Sequence, residues 1–347
     1  MAARLAEEGS IDKNKIAAYH LAFSRPEADE RMFVHDLARM WSGTIHTPSA
    51  DDPAPELLSD RTQWRRGLPE ELELSPMQVL YAMARQNGSR VILWGYGADE
   101  WLTGDPAHCA DLIRRCQFRK FWRQFRHDVA VYHHFETKVT YLEAVRWCLL
   151  PLVPRALKSR AKRILKWNVP AWIAPGFSRA IGLQDRLSRS DSGTVFPAQV
   201  PQGMYGAPVS GYRTIGQEVD NQYEAHCGLE GRSPFCDRRL IEFALALPEE
   251  QRWRDDQTKY VLRQAMRGLI PESIRLRRTK GDFTHLMKEN FARQCAGETF
   301  QSLRLAADGY IDAAAVRTLY RRYMQGDEAA VPPLWAILAV ERWITMA

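Results

Sequence analysis

Residues 90–105, RVILWGYGADEWLTGD, constrain the fold more than any other stretch of the chain. An apolar run of strand length ends at two glycines one residue apart, followed by an acidic pair and a further glycine. The preceding residues 76–87 (PMQVLYAMARQN) repeat apolar positions at helical spacing and stop at Gly88, so the order reads helix, glycine stop, buried strand. Further upstream, residues 16–23 (IAAYHLAF) form a second apolar run of strand length. Ser24, Pro26 and Glu27 then have the spacing of a capped helix start, and Met32, Phe33, Leu37 and Met40 predict an apolar stripe on a helix over 27–40 that packs on a sheet. Strands alternating with helices require an α/β fold, a parallel sheet with helices on its faces. Ligands in such sheets bind beyond the carboxyl ends of the strands, which puts the 95–105 loop at the functional edge.

The remaining chain reads differently. From residue 107 strand signals give way to helical patterns, including 112–125 and 142–150, and the expected organisation is an α/β core over 1–106, a helical insertion over 107–217 and a helical C-terminal part over 218–347. Residues 47–72 are polar with prolines and read as a loop, and 188–210, rich in Ser, Gly and Pro, as a mobile connector. Residues 155–166 carry Arg155, Lys158, Arg160, Lys162, Arg163 and Lys166 around Leu157, Ile164 and Leu165. Such a segment fits an anionic peptide or a membrane surface, and equally a solvated helix face.

Composition narrows the class. With 45% hydrophobic and 26% charged residues the chain is globular rather than disordered. A net charge of +6 and a pI near 9.0 favour acidic partners such as ATP, or mark an ordinary basic surface. Six cysteines form no Cys-x-x-Cys pair, which fits a reducing cytoplasm and neither a zinc site nor a disulfide framework. No stretch reaches the ~18 apolar residues of a membrane span, and the N-terminus lacks a signal-peptide core. His127, His133 and His134 lack metal-ligand spacing and read as a helix surface.

In the loop itself, Gly95 and Gly97 let backbone approach a ligand, and Asp99 with Glu100 offers hard oxygens to Mg²⁺ beside phosphates. A tight turn in which Asp99 caps the next helix satisfies the same pattern.

Three more segments sharpen the choice: 228–248 (GLEGRSPFCDRRLIEFALALP), 256–269 (DQTKYVLRQAMRGL) and 277–283 (RRTKGDF). With GYGADE they stand in the order found in the synthetase domain of asparagine synthetases and their relatives, the β-lactam synthetases and lasso peptide cyclases. The chain resembles that family over nearly its whole length. The resemblance implies a parallel sheet of the PP-loop type, adenine nucleotide α-hydrolase-like, followed by a mostly helical region. It implies a carbon–nitrogen ligase that activates a carboxylate as an acyl-adenylate with ATP and Mg²⁺, then admits an amine or ammonia. In that reading Asp99 holds Mg²⁺ against pyrophosphate, Leu21, Trp94 and Gly95 lie beside the adenine and ribose, and Lys280 stabilises charge in the transition state. Arg232 and Asp237 read as a buried ion pair of the helical part.

Two departures matter. Tyr96 stands between the glycines where asparagine-forming members usually have Glu; β-lactam synthetases have Tyr, which works there with a distant Glu as a base, and Glu136 is the candidate partner here. Trp94 replaces a small residue, which narrows the nucleotide pocket. The family's Ser-Gly-Gly-x-Asp-Ser loop does not occur in residues 1–347, nor does its glutaminase domain. Residues 1–9 (MAARLAEEG) match the body of the helix which that loop starts, so the expectation is a chain cut at an internal methionine, inactive by itself, or one completed by a second chain supplying the missing loop. A scaffold that keeps the fold without turnover is the alternative.

Overall fold

A computed structural model describes residues 5, 7–10, 12, 15–41, 43–50, 75–105, 108–132, 145, 148–154, 157, 160, 169–188, 199–206, 211–254, 257–278, 281, 288–289, 291–292, 295 and 300–346. Its α/β part contains two parallel strand pairs. β1 (Ala18–Tyr19) pairs with β2 (Ile45–His46), and a further parallel bridge joins Ala22 to Ser49. β3 (Val91–Leu93) pairs with β4 (Glu230–Arg232), Val91 opposite Glu230 and Leu93 opposite Arg232. A short antiparallel pair, β5 (Trp253–Arg254) and β6 (Gln257–Thr258), lies further along. Strands therefore recur well beyond residue 107. β4 escapes a sequence reading because Glu-Gly-Arg has neither β-branched residues nor apolar alternation.

Helix α1 (Arg31–Trp41) follows β1, and α2 (Ser75–Gln86) precedes β3. α2 serves both pairs. Its Leu80 packs with Leu21, Phe23 and Ala28 beside β1, while Tyr81 and Ala84 pack with Val219, Tyr223 and Leu229 beside β3 and β4. Among the described residues no ladder joins one pair to the other.

Three expectations need correction here. The strand over 90–94 is not buried on both faces: Ile92 and Trp94 turn towards Tyr81 and Tyr223, but Val91 and Leu93 point away, with Leu93 60% exposed. Period-two alternation puts them on the opposite face, and among the described residues the two helices that carry Tyr81 and Tyr223 pack on one side of that strand. Helix α1 starts later than its capping-box spacing predicts, because residues 25–29 form turns in which Ala28 N–H bonds Arg25 O at 3.0 Å. Its stripe also stays out of the core, with no residue of α1 buried and Met32 and Met40 exposed.

The helix expected over 112–125 is two helices in part. α3 (Ala98–Leu102) is followed by α4 (His108–Arg114), and α5 (Phe118–Tyr132) begins after a break. Cys116 adopts φ 55° there, and the N–H of Gln117 returns to Leu112 O at 2.9 Å, the closure of a left-handed helix stop. Within the expected connector, Gln199–Gly206 forms helix α6, anchored where the buried Asp111 carboxylate accepts the Val200 N–H at 3.1 Å. All six cysteines are free.

After α7 (Gly211–His226) and α8 (Arg238–Ala246) come the short helices α9 (Tyr260–Ala265) and α10 (Glu272–Arg275). The C-terminal helices α11 (Arg304–Ala307), α12 (Ala313–Met324) and α13 (Val331–Met346) enclose the largest apolar cluster among the described residues, with Val316, Leu334 and Leu338 in it.

Candidate functional site

The β3 ladder continues one bond past the strand, Trp94 N–H to Arg232 O at 2.8 Å, and then the chain turns. Gly97 makes the turn at φ 98°, and a Cβ there would lie 2.9 Å from the Phe235 carbonyl. A side chain would meet both strain and backbone, so glycine is required. α3 begins at once, and Glu100, not Asp99, closes its first turn by accepting the Gly97 N–H at 2.9 Å. The far end of the loop is tied by Glu249, which accepts the Asp105 N–H at 2.7 Å and also pairs with the buried Arg252 at 2.7 Å. Burial pushes the Glu249 carboxyl above the usual range, against the pull of Arg252.

With Glu100 occupied, Asp99 projects elsewhere. Its carboxylate forms an ion pair with Lys259, which enters α9 in a left-handed conformation at φ 55°. The GYGADE loop and the Thr-Lys segment, 160 residues apart in sequence (259 minus 99), therefore share one surface. From there contacts run on to the Arg-Arg loop. Arg263 donates to Thr258 O at 2.7 Å and to Arg275 O, and Arg277 pairs with Glu30 at 2.7 Å while lying 4.3 Å above the Phe33 ring of α1.

Behind the loop sits a buried aromatic and acidic cluster. The Trp94 indole donates to Glu224 at 2.5 Å, and Glu224 is also held by the Gly231 N–H. Tyr81 meets Trp94 edge to face at 6.0 Å, and Tyr96 tilts against the same indole at 6.0 Å. Burial drives the Glu224 carboxyl above its ordinary range, and the Trp94 bond only partly offsets this. The fit is close: a Cβ on Gly231 would stand 1.9 Å from a Glu224 oxygen. On the other side of Tyr96, a cavity of about 500 Å³ is lined by Gly97, Trp101, Tyr205, Gln217, Ile241 and Leu245 among others.

The sequence-predicted residues divide. Trp94, Gly95, Tyr96 and Asp99 lie together at the β3 end, and Leu21 is buried against Leu80, part of the core rather than of an open wall. Lys280 and Glu136 lie outside the described residues. The expected buried pair of Arg232 and Asp237 does not form. Arg232 binds Glu230 at 2.8 Å and Asp237 binds Arg239 at 2.9 Å, both on the surface, where the Arg239 guanidinium and N–H hold the Asp237 carboxyl at about 2. Asp237 is instead the N-cap of α8, accepting the Arg239 N–H. Sequence reasoning gave Lys259 and Glu224 no role. Lys259 was visible as part of the Thr-Lys motif, whereas Glu224 is one acidic residue of an amphipathic helix and nothing marks it as buried.

Residues 90–105, 228–248 and 256–269 thus meet beside β3, and comparison with known proteins points to one family. A profile of the asparagine synthase family matches residues 1–345. This chain belongs to the asparagine synthase family. Asparagine synthetase [glutamine-hydrolyzing] 3 of Bacillus subtilis (strain 168) is similar to it, 40% identical over 50 residues, a stretch covering 14% of this chain and 8% of that protein. Among the described residues no helix is long and apolar enough to cross a membrane.

Proposed function

We propose that the β3 end, the 95–105 loop, Lys259 and the 277–280 loop form an ATP-dependent amide-forming site. The observation that carries this is the convergence of three separated motifs, 90–105, 228–248 and 256–269, fixed by the β3–β4 ladder and the Asp99–Lys259 pair. The substrate carboxylate attacks the α-phosphorus of ATP, pyrophosphate leaves, and an amine then displaces AMP from the acyl carbon and gives up a proton. In a site for a larger amine substrate, Tyr96, 39% exposed beside the cavity, would take up that proton while its phenol passes its own to a carboxylate partner, for which Glu136 is the candidate. Trp94 and Gly95 border the nucleotide, with Leu21 supporting that wall from the core. Asp99 offers one carboxylate, which fits a Mg²⁺ held mostly by phosphates, and bound Mg²⁺ would neutralise charge on the leaving pyrophosphate. Lys280 supplies the cation for the transition state, and the reaction is assigned to the cytoplasm.

The phosphate-cradling loop, in this reading, comes from a segment outside residues 1–347, carried on the same polypeptide or on a second chain. The exposed faces of Val91 and Leu93, and the absence of a ladder between the two parallel pairs among the described residues, support a place for such a segment. ATP–pyrophosphate exchange tests both parts. Little exchange is expected from residues 1–347 alone, since each lost preorganised donor costs roughly 3 kcal/mol of transition-state binding. Supplying the segment should restore exchange, and Lys280→Ala should then lower kcat far more than it raises KM for ATP. Brisk exchange by the chain alone would remove the need for the segment. No exchange in any form, with nucleotide still bound, would leave a binding scaffold.

A further inference from the structure

The short helix α3 has two working sides. Asp99 leaves it towards Lys259, whereas Gly97, Glu100 and Trp101 line the cavity of about 500 Å³ beside Tyr96. The walls of that cavity are the outer surface of a packed cluster. Trp101 is buried with Leu102, Val200, Met204 and Ala244, and Ile241 and Leu245 of α8 pack against the same group. Apolar surface backed in this way is held in place rather than free to collapse into the void. The mouth is tied as well, because the Cys236 thiol donates to the Tyr96 carbonyl at 3.5 Å just before α8 begins. Charges in the lining already have partners. Glu100 accepts the Gly97 N–H at 2.9 Å, and Arg238 pairs with Glu242 at 2.7 Å, both side chains lying largely in solvent.

We propose that this cavity seats an aromatic or branched aliphatic side group of the amine substrate, an inference that rests on the amide-forming site above and names the chemistry of its acceptor. Lining and size select that class together. A charged side group would be desolvated against Trp101, Ile241 and Leu245 with no unmatched partner among the described lining residues, which is costly. Ammonia, close to water in size at ~30 Å³, would leave most of the space unfilled. A substrate whose amino nitrogen lies at Tyr96 can instead run its apolar group between α3 and α8 and exchange hydration for contact with the indole and the two aliphatic side chains. Nucleotide chemistry stays on the far side of α3, beside Asp99 and Lys259.

The test is competition titration of the intact 347-residue chain by saturation-transfer NMR, with phenylalanine amide, leucine amide, glycine amide and aspartate as probes, and it requires no turnover. Phenylalanine amide and leucine amide are expected to bind roughly tenfold or more tightly than glycine amide, the gain from burying one such side chain, and aspartate should not displace them. Ile241→Asp should abolish the preference. Ile241→Thr, which keeps the branched shape, should reduce it by a smaller factor, and circular dichroism shows whether each variant is folded. The inference is overturned if no probe binds, if the three amides bind equally, if aspartate binds best, or if the preference survives Ile241→Asp in a folded chain. ATP–pyrophosphate exchange, read separately, keeps this inference apart from the reading it rests on. Exchange by the completed enzyme without the amide preference overturns the apolar pocket alone, whereas the preference without exchange supports the pocket and removes the chemistry proposed beside it.

Discussion

Leu334 and Leu93 carry the same side chain, yet Leu334 is fully buried among the C-terminal helices and Leu93 is 60% exposed on β3. The C-terminal cluster closes on itself. Phe291, Phe300, Val316, Leu334 and Leu338 fill it, and the buried Glu341 is consumed by capping: it accepts the Arg304 N–H at 2.7 Å and the Leu305 N–H at 3.0 Å at the start of α11. The strand region differs in kind. Its buried acid, Glu224, binds an indole and a strand N–H directly behind the loop that carries the motifs, and its apolar residues split between a covered and an open face. One region spends its burial on stability; the other keeps exposed apolar surface and a buried acid beside the loop to which the proposed function assigns ligand handling.

The largest expected effect separates these regions directly. Leu334→Ala should lower unfolding free energy by about 3 kcal/mol, the usual range for emptying a packed leucine site. Leu93→Ser should change it by less than about 0.5 kcal/mol, since little burial is lost. Urea denaturation of both variants measures this, and equal losses would show that the exposed face of β3 is covered in solution.

Next comes Gly231→Ala. The added methyl would stand 1.9 Å from the Glu224 carboxylate, so either the acid or β4 must shift. A cost of about 2 kcal/mol is expected from such overpacking, with a change in Trp94 fluorescence as its indole loses the Glu224 acceptor. An unchanged emission spectrum would mean that the cluster adapts without releasing the indole.

How much of this was legible beforehand follows from where the information resides. Helix α2 and the β3 strand were readable because Gly88 and the glycines at 95 and 97 punctuate apolar runs of the right length. β4 was not, since a three-residue strand of Glu, Gly and Arg takes its conformation from pairing with β3 rather than from propensity. The Asp99–Lys259 pair was out of reach for a related reason: the sequence announced both motifs but not which side chains would face each other. Arg232 and Asp237 show the opposite error. Two charged residues five apart invited pairing, yet each found a partner two residues away, Glu230 and Arg239, at no cost in burial.

A smaller effect concerns pH. Burial raises the folded-state pKa of Glu224, so the folded protein binds that proton more tightly than the unfolded chain does. The sign follows: this group favours the fold most below its ordinary value of 4.5, and its contribution declines as pH rises from there through the raised value. Glu224→Gln, which can still accept from Trp94, should flatten that part of the stability profile. Glu249 shifts in the same direction and leaves a residual slope. Denaturation midpoints across this range, wild type against variant, should converge towards low pH; a constant offset would show that Glu224 stays charged throughout.

The smallest expected effect on stability carries the most functional weight. Asp99 is about half exposed and Lys259 about a quarter, so their ion pair should contribute under about 1 kcal/mol to folding. Lys259→Met should therefore barely move the thermal midpoint. Nucleotide handling is another matter under the proposed function. Asp99 has one carboxylate to divide between Lys259 and a phosphate-bound Mg²⁺, and Lys259, once released, is a free cation beside the same phosphates. Removing Lys259 then takes away a phosphate contact while Asp99 keeps its carboxylate for the metal, so MgATP affinity should fall by roughly tenfold, as for loss of one charge-assisted bond. Asp99→Asn should instead weaken the Mg²⁺ dependence and leave ATP binding in the absence of metal intact. Calorimetric titration of ATP with and without Mg²⁺ distinguishes the two. If neither substitution alters binding while both leave stability untouched, the pair is an ordinary surface bridge and the nucleotide site must lie away from the 95–105 loop.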